Sequence, residues 1–202
     1  MNVVELAETA VTIGNHVDLA AIVKQIDPAL HFVKDLHVDA AAGLTLLVRM
    51  GKVQCVLRVR ANTDILWDEK YFQLELLALH RVAERDLNNV AHLVNYYRCD
   101  TYEAILKTFI KGSPCNRLDI KTLFKDRHFI HELDYLYLQL HLAGIAKINF
   151  GPRKIVLCDN NTLALVDLRS CVVDAHVGIN QFSWEQRQDS YFITRLERQA
   201  RF

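Results

Sequence analysis

The sequence predicts an α+β fold: a five-stranded antiparallel sheet with one packed helix, followed by a reduced helical half. Three observations predict it. Three short apolar runs follow one another with reversals at glycine, one segment repeats its apolar residues at helical spacing, and near Pro114 the pattern turns from strand to helix. Before the sheet, Val3, Leu6, Ala7, Ala10 and Val11, then Val17, Ala20, Ala21, Val23 and Ile26, recur at helical spacing with a break at Gly14-Asn15. Two short helices ending before Pro28 are expected there.

The runs Phe32 to Val38, Leu44 to Val48 and Val53 to Val59 read as a meander, because Gly43 and Gly51-Lys52 supply the turns. A meander must cover its apolar face. The segment Asp68 to Val82 supplies a helix with Phe72, Leu74, Leu76, Leu77, Leu79 and Val82 on a wide apolar face and Asp68 and Glu69 in its first turn. Strands over His92 to Tyr97 and Tyr102 to Ile110 complete the sheet, which closes at Lys111-Gly112-Ser113-Pro114. Ser113-Pro114-Cys115 reads as a loop, since no base stands at a spacing that would make it a nucleophile. Beyond it, Ile130, Leu133, Leu136, Tyr137, Leu140 and Leu142 place a long helix over His128 to Ala143, stopped by Gly144. Lys154 to Cys158 and Leu163 to Asp167 flank Asp159-Asn160-Asn161-Thr162, a hairpin signal. Trp184 to Phe202 reads as a polar amphipathic helix.

Composition bounds the partners. Of 202 residues, Lys+Arg and Asp+Glu each total 24, and no basic stripe interleaved with aromatics is read, so a nucleic-acid partner is not expected. The five cysteines, Cys55, Cys99, Cys115, Cys158 and Cys171, are odd in number and never form C-x-x-C, which predicts reduced structural thiols. His128, His131 and His141 share one predicted helix without an H-E-x-x-H frame, so ordinary histidines are expected there. The opening Met1-Asn2-Val3-Val4-Glu5 has no basic n-region, and no apolar run approaches the roughly 18 residues of a membrane span. A cytoplasmic setting is expected.

The order of these elements resembles that of the protein-kinase-like superfamily, and the resemblance is specific over residues 133 to 168, LDYLYLQLHLAGIAKINFGPRKIVLCDNNTLALVDL. There Lys147-Ile148-Asn149 stands at His-Arg-Asp, Pro152 at the loop proline, Lys154 at the metal-binding Asn and Asp167-Leu168-Arg169 at Asp-Phe-Gly. Upstream, Glu75 with Leu79 and Val82 resembles the kinase helix that carries the phosphate-lysine's glutamate, and Arg58 in Val56-Leu57-Arg58 takes that lysine's place. Leu106-Lys107-Thr108-Phe109-Ile110 resembles the adenine-binding hinge. The resemblance implies a two-lobed fold divided as an N-terminal helical extension over 1–30, an N-lobe over 31–112 and a reduced C-lobe over 113–202. With about 35 residues after Asp167-Leu168-Arg169, it leans toward compact atypical kinases of the RIO-like and lipopolysaccharide-kinase-like kind.

Phosphoryl transfer needs an orienting base, magnesium ligands and cations on the phosphates. Here Asn149 cannot take a proton as a carboxylate does, Lys154 puts a cation where a neutral oxygen ligand belongs, and the only glycine of His37 to Gly43 ends that turn. The resemblance leaves Asp167 as catalytic and metal-holding residue beside Asn149, with Arg58, Glu75, Lys107, Phe109 and Lys154 around a nucleotide. ATP is the cofactor it implies, while Lys154 argues against magnesium. Arg58 and Glu75 read equally well as a salt bridge holding helix to sheet, and Asp167 as a turn carboxylate. The expected function is a pseudokinase that binds nucleotide or a protein partner. The alternative is an active atypical kinase acting on a protein or small-molecule hydroxyl.

Overall fold

The computed structural model describes residues 18–39, 43–62, 66–115, 125–148 and 154–199. The helix expected before Gly14, the reversal at 40–42, Asn149 and Pro152 lie outside the described residues. The chain divides into two compact units, Met1–Lys70 with Leu93–Phe109 and Tyr71–His92 with Ile110–Phe202.

The first unit begins with α1 (Leu19–Ile26), whose N-cap Asp18 accepts a hydrogen bond from the Ala21 amide at 3.0 Å. Asp27 ends the helix; its carboxylate accepts from the Tyr97 hydroxyl at 2.7 Å and from the Ala29 amide at 2.8 Å. Ile22, Val23 and Ile26 turn inward at i, i+1 and i+4, as a helix with one apolar face requires.

Five antiparallel strands follow: β1 (Leu30–Asp39), β2 (Gly43–Met50), β3 (Val53–Ala61), β4 (Leu93–Arg98) and β5 (Tyr102–Thr108), in the order β1-β2-β3-β5-β4. The meander read from the sequence is therefore present, and β5 enters between β3 and β4. Strand alternation fixes what each face carries. Leu44, Leu46, Val48, Cys55, Leu57, Val59, Ala104 and Leu106 join the α1 side chains in one core; full burial of each large aliphatic contributes about 1.5–3 kcal/mol. The opposite face presents Val56, Arg58 and Arg60 of β3 beside their register partners Lys107, Ile105 and Glu103 of β5. The outer strands are irregular: β1 shifts register at Phe32/Lys34 and Asp35/His37, and β4 at Leu93/Asn95.

In the second unit, α2 (Leu66–Glu84) contributes its length from Tyr71 onward. It buries Phe72, Leu74, Glu75, Leu76, Ala78, Leu79 and Val82, with one carboxylate inside the stripe, whereas Leu77, expected on the apolar face, is exposed. The helix α3 (Arg127–Leu142) is capped by Asp126, which accepts from the His128 amide at 2.9 Å, and it buries Phe129, Ile130, Leu133, Leu136, Tyr137 and Leu140. Gly144 follows at φ 78. The positive φ favours glycine, and a Cβ there would lie 2.6 Å from the Asp174 carboxylate, which would have to move aside.

The expected loop at Ser113-Pro114 is instead a short strand, β6 (Ser113–Pro114), paired with β8 (Ile155–Leu157), which pairs in turn with β9 (Leu163–Leu165). Pro114 lacks a ladder donor, and β6 accordingly occupies the edge of this small sheet. The β8–β9 reversal is the predicted hairpin, with Asn161 at φ 61 and the Cys158 amide donating to the Thr162 carbonyl at 2.9 Å. The strands β7 (Ile145–Ala146) and β10 (Val172–Val173) pair before α4 (Asp174–Val177) and the long α5 (Ile179–Gln199). The polar tail is thus a helix that starts five residues before the expected Trp184 and buries Phe182, Glu185, Asp189 and Ile193.

All five cysteines are free thiols. No described helix is long and apolar enough to cross a membrane.

Candidate functional site

The residues singled out in the sequence fall in both units. Arg58, Lys107 and Phe109 belong to the first. Arg58 and Lys107 sit on the same sheet face, 4% and 6% exposed, and the Phe109 amide donates to the Gln54 carbonyl at 3.3 Å. Beside them, Arg60 is closed on Glu103 by a 2.7 Å ion pair, and Glu103 also accepts from the Tyr96 hydroxyl at 2.7 Å. Burial alone would raise the Glu103 pKa, but the Tyr96 and Arg60 hydrogen bonds outweigh it and hold the group below its ordinary value.

Glu75, Lys154 and Asp167 belong to the second unit. Cys171, in the same unit, is fully buried, and desolvation pushes its thiol far up; Lys154 opposes that rise, whereas Asp167, Asp189 and Glu75 reinforce it. Lys154 stands at the start of the β8–β9 hairpin, where its carbonyl accepts from the Val166 amide at 2.8 Å. Its ammonium donates to the Ser170 hydroxyl.

Asp167 follows β9 as the chain turns. Leu168 is buried, which anchors the turn, and Arg169 folds back on the carboxylate. The guanidinium Nε lies 3.0 Å from Oδ1 and 2.9 Å from Oδ2, and Nη2 lies 2.6 Å from Oδ2. The Arg169 amide adds a bond to Oδ1 at 3.0 Å. Both carboxylate oxygens are thus engaged by one planar fork, the strongest geometry a guanidinium can offer.

Each Asp167 oxygen thus has a cationic donor, which competes with any other cation for this carboxylate. Among the described residues, no group of three or more His, Cys, Asp or Glu side chains is placed to hold a metal.

Sequence reasoning missed Asp189. On α5 it is 6% exposed, accepts from the Ile148 amide at 3.1 Å on Oδ1 and 3.3 Å on Oδ2, and contacts His141 Nε2 at 3.0 Å. It therefore pins the loop that the resemblance aligns with the catalytic loop. Lys147, one residue earlier, adopts φ 57 and lies 3.6 Å from Glu185, one turn before Asp189 on α5. His141 is thus a structural partner rather than part of a three-histidine set. The hydroxyl of Tyr137, one turn before His141, is buried and has no hydrogen-bond partner among the described residues. The signal for Asp189 was present: Phe182, Glu185, Asp189 and Ile193 form one helical row, which puts carboxylates on an otherwise apolar stripe.

No protein-family model and no curated protein matches the sequence. Among solved structures, the chain is similar to the crystal structure of the BubR1 kinase domain, with a TM-score of 0.58 and 16% identity over 75% of this chain and 50% of that one. It spans half the length of that kinase domain. At this identity the likeness speaks for fold alone. The five-stranded antiparallel sheet, the Glu75 helix and the hairpin ending in Asp167 together make this a protein-kinase-like fold.

Proposed function

We propose that this chain is a pseudokinase: a cytoplasmic kinase-like module that binds a protein partner, or nucleotide without metal, and does not transfer phosphate. The observation that carries the reading is the Arg169 fork on Asp167. A carboxylate can serve a phosphoryl-transfer site only through a metal or a proton, and here both its oxygens are committed to a neighbour two residues away. Lys154, at the position the resemblance gives to a metal ligand, supports the same reading through its charge. On that resemblance, Lys154 is the side chain suited to neutralise phosphate in place of magnesium.

Calorimetric titration with ATP, with and without magnesium chloride, tests the proposal together with a radiolabel-transfer assay on a panel of protein and sugar hydroxyls. The expected outcome is nucleotide binding that is absent or indifferent to magnesium, and no transferred label. Magnesium-dependent tight binding followed by ADP release, abolished by Asp167→Asn, overturns the proposal in favour of an active atypical kinase.

A further inference from the structure

The outward face of α5 carries a pattern that the kinase reading leaves unused. Trp184, Arg187, Tyr191 and Arg198 follow one another at steps of three, four and seven residues, so they form one line along the helix, with Arg195 at its border. Trp184 is 51% and Tyr191 68% exposed. Among the described residues no carboxylate pairs with Arg187, Arg195 or Arg198; Arg187 donates only to the Ser183 carbonyl, at 3.2 Å. Beside this line runs a groove between α3 and α5, lined by Leu138, Leu142, Ser183, Gln186, Arg187 and Ser190. Leu138 and Leu142, 51% and 70% exposed, are one helical turn apart and give the groove an apolar wall.

Large exposed apolar side chains grouped in this way mark an interaction surface, and Trp, Tyr and Arg are the residue types in which interface energy concentrates. Two leucines at i and i+4, with Arg187 across the groove and further arginines along the adjoining face of α5, match an amphipathic helix that sets apolar anchors against the leucines and carboxylates against the arginines. Polyanions match less well. Nucleic acid and anionic membranes attract through the field of the whole protein, and this chain has a formal net charge of +0.

We propose that the α3–α5 groove and the Trp184–Arg187–Tyr191–Arg198 line dock an acidic amphipathic helix of a protein partner. The proposal rests on the protein-binding half of the function proposed above, and its failure would leave the phosphotransfer result unchanged.

The test uses the full chain and fluorescence anisotropy with two designed helical peptides. Both carry leucine at i, i+4 and i+7, one with glutamate and the other with lysine on the flanking positions. Saturable binding of the glutamate peptide is expected, weakened about tenfold by Trp184→Ala, with circular dichroism unchanged. Arg187→Glu combined with Arg195→Glu should exchange the preference toward the lysine peptide, a reversal that no folding defect produces. Three results overturn the proposal: no binding of the glutamate peptide, equal binding of both peptides, or tighter binding to oligo-dT or phosphatidylserine vesicles than to the glutamate peptide.

Discussion

Asp167 and Asp189 are two carboxylates of the same unit, each holding several hydrogen bonds, and they do opposite things. Asp167 closes on Arg169, two residues along the chain, so these bonds organise one turn. Asp189 reaches the Ile148 amide, 41 residues away, and His141, 48 residues away, so its bonds join a helix and a loop that the sequence keeps apart. One carboxylate is spent on a local turn, the other on joining distant segments, so side chains of one type can hold a fold together at very different ranges.

This contrast predicts a ranking. Asp189→Ala should be the most damaging change, since it strands a buried amide and a partly buried imidazole at once; a loss of about 3 kcal/mol is expected in urea unfolding. A loss below about 1 kcal/mol would mean that the two carboxylates are structurally equivalent, and the comparison fails. Gly144→Ala should follow, at about 1–3 kcal/mol, because a Cβ at φ 78 meets the Asp174 carboxylate that also pairs with Arg81 at 2.9 Å.

Arg169→Ala should cost much less, about 0–1 kcal/mol, since this pair is local and its arginine is 37% exposed. The same substitution frees the Asp167 oxygens. Combined with Lys154→Asn, it should create a thermal shift with magnesium chloride that the unaltered chain does not show. A double variant that remains blind to magnesium would show that Arg169 and Lys154 are not what keeps magnesium from Asp167.

The smallest effect concerns Asp27, outside that unit. The Tyr97 hydrogen bond, then the Ala29 amide, lower its pKa, so its pairing stabilises the fold above the unfolded carboxylate value near 4 and is lost as pH falls through the folded one. Its partner Tyr97 is pushed up to about 12 by burial and by Asp27. Tyr97→Phe should therefore cost about 1 kcal/mol at pH 7 and flatten the acid limb of a stability profile. An unchanged acid limb would show that Asp27 is not linked to folding.

Where the sequence is legible, it is legible through local rules. Alternation marks the strands, glycine marks the reversals, and Asp159-Asn160-Asn161-Thr162 marks a hairpin whose turn does place Asn161 at positive φ. The helix ending at Gly144 follows from its stripe and its stop. What escapes is set by pairing at a distance or by too little chain. Ser113-Pro114 forms a strand of two residues, too short for any period, and only Val156 and Leu157 reveal it. Asp167 is recognisable, but a spacing of two residues says nothing about a side chain folding back, so in sequence Arg169 reads as a missing glycine rather than as a clamp. Asp189 lies on a helix that reads as a tail, since its polarity on average conceals a buried row.

The slips of register in β1 and β4 bear on edge-to-edge pairing between copies of a sheet protein. In the order β1-β2-β3-β5-β4 these are, among the described residues, the two strands with an open side, and a straight open side is a template for intermolecular strand addition. Each slip bends the strand and removes the even comb of donors and acceptors that a second chain would need. The exposed charges of Lys34 and Asp35 sit within the bent part of β1, so that edge is protected against aggregation by shape and by charge together.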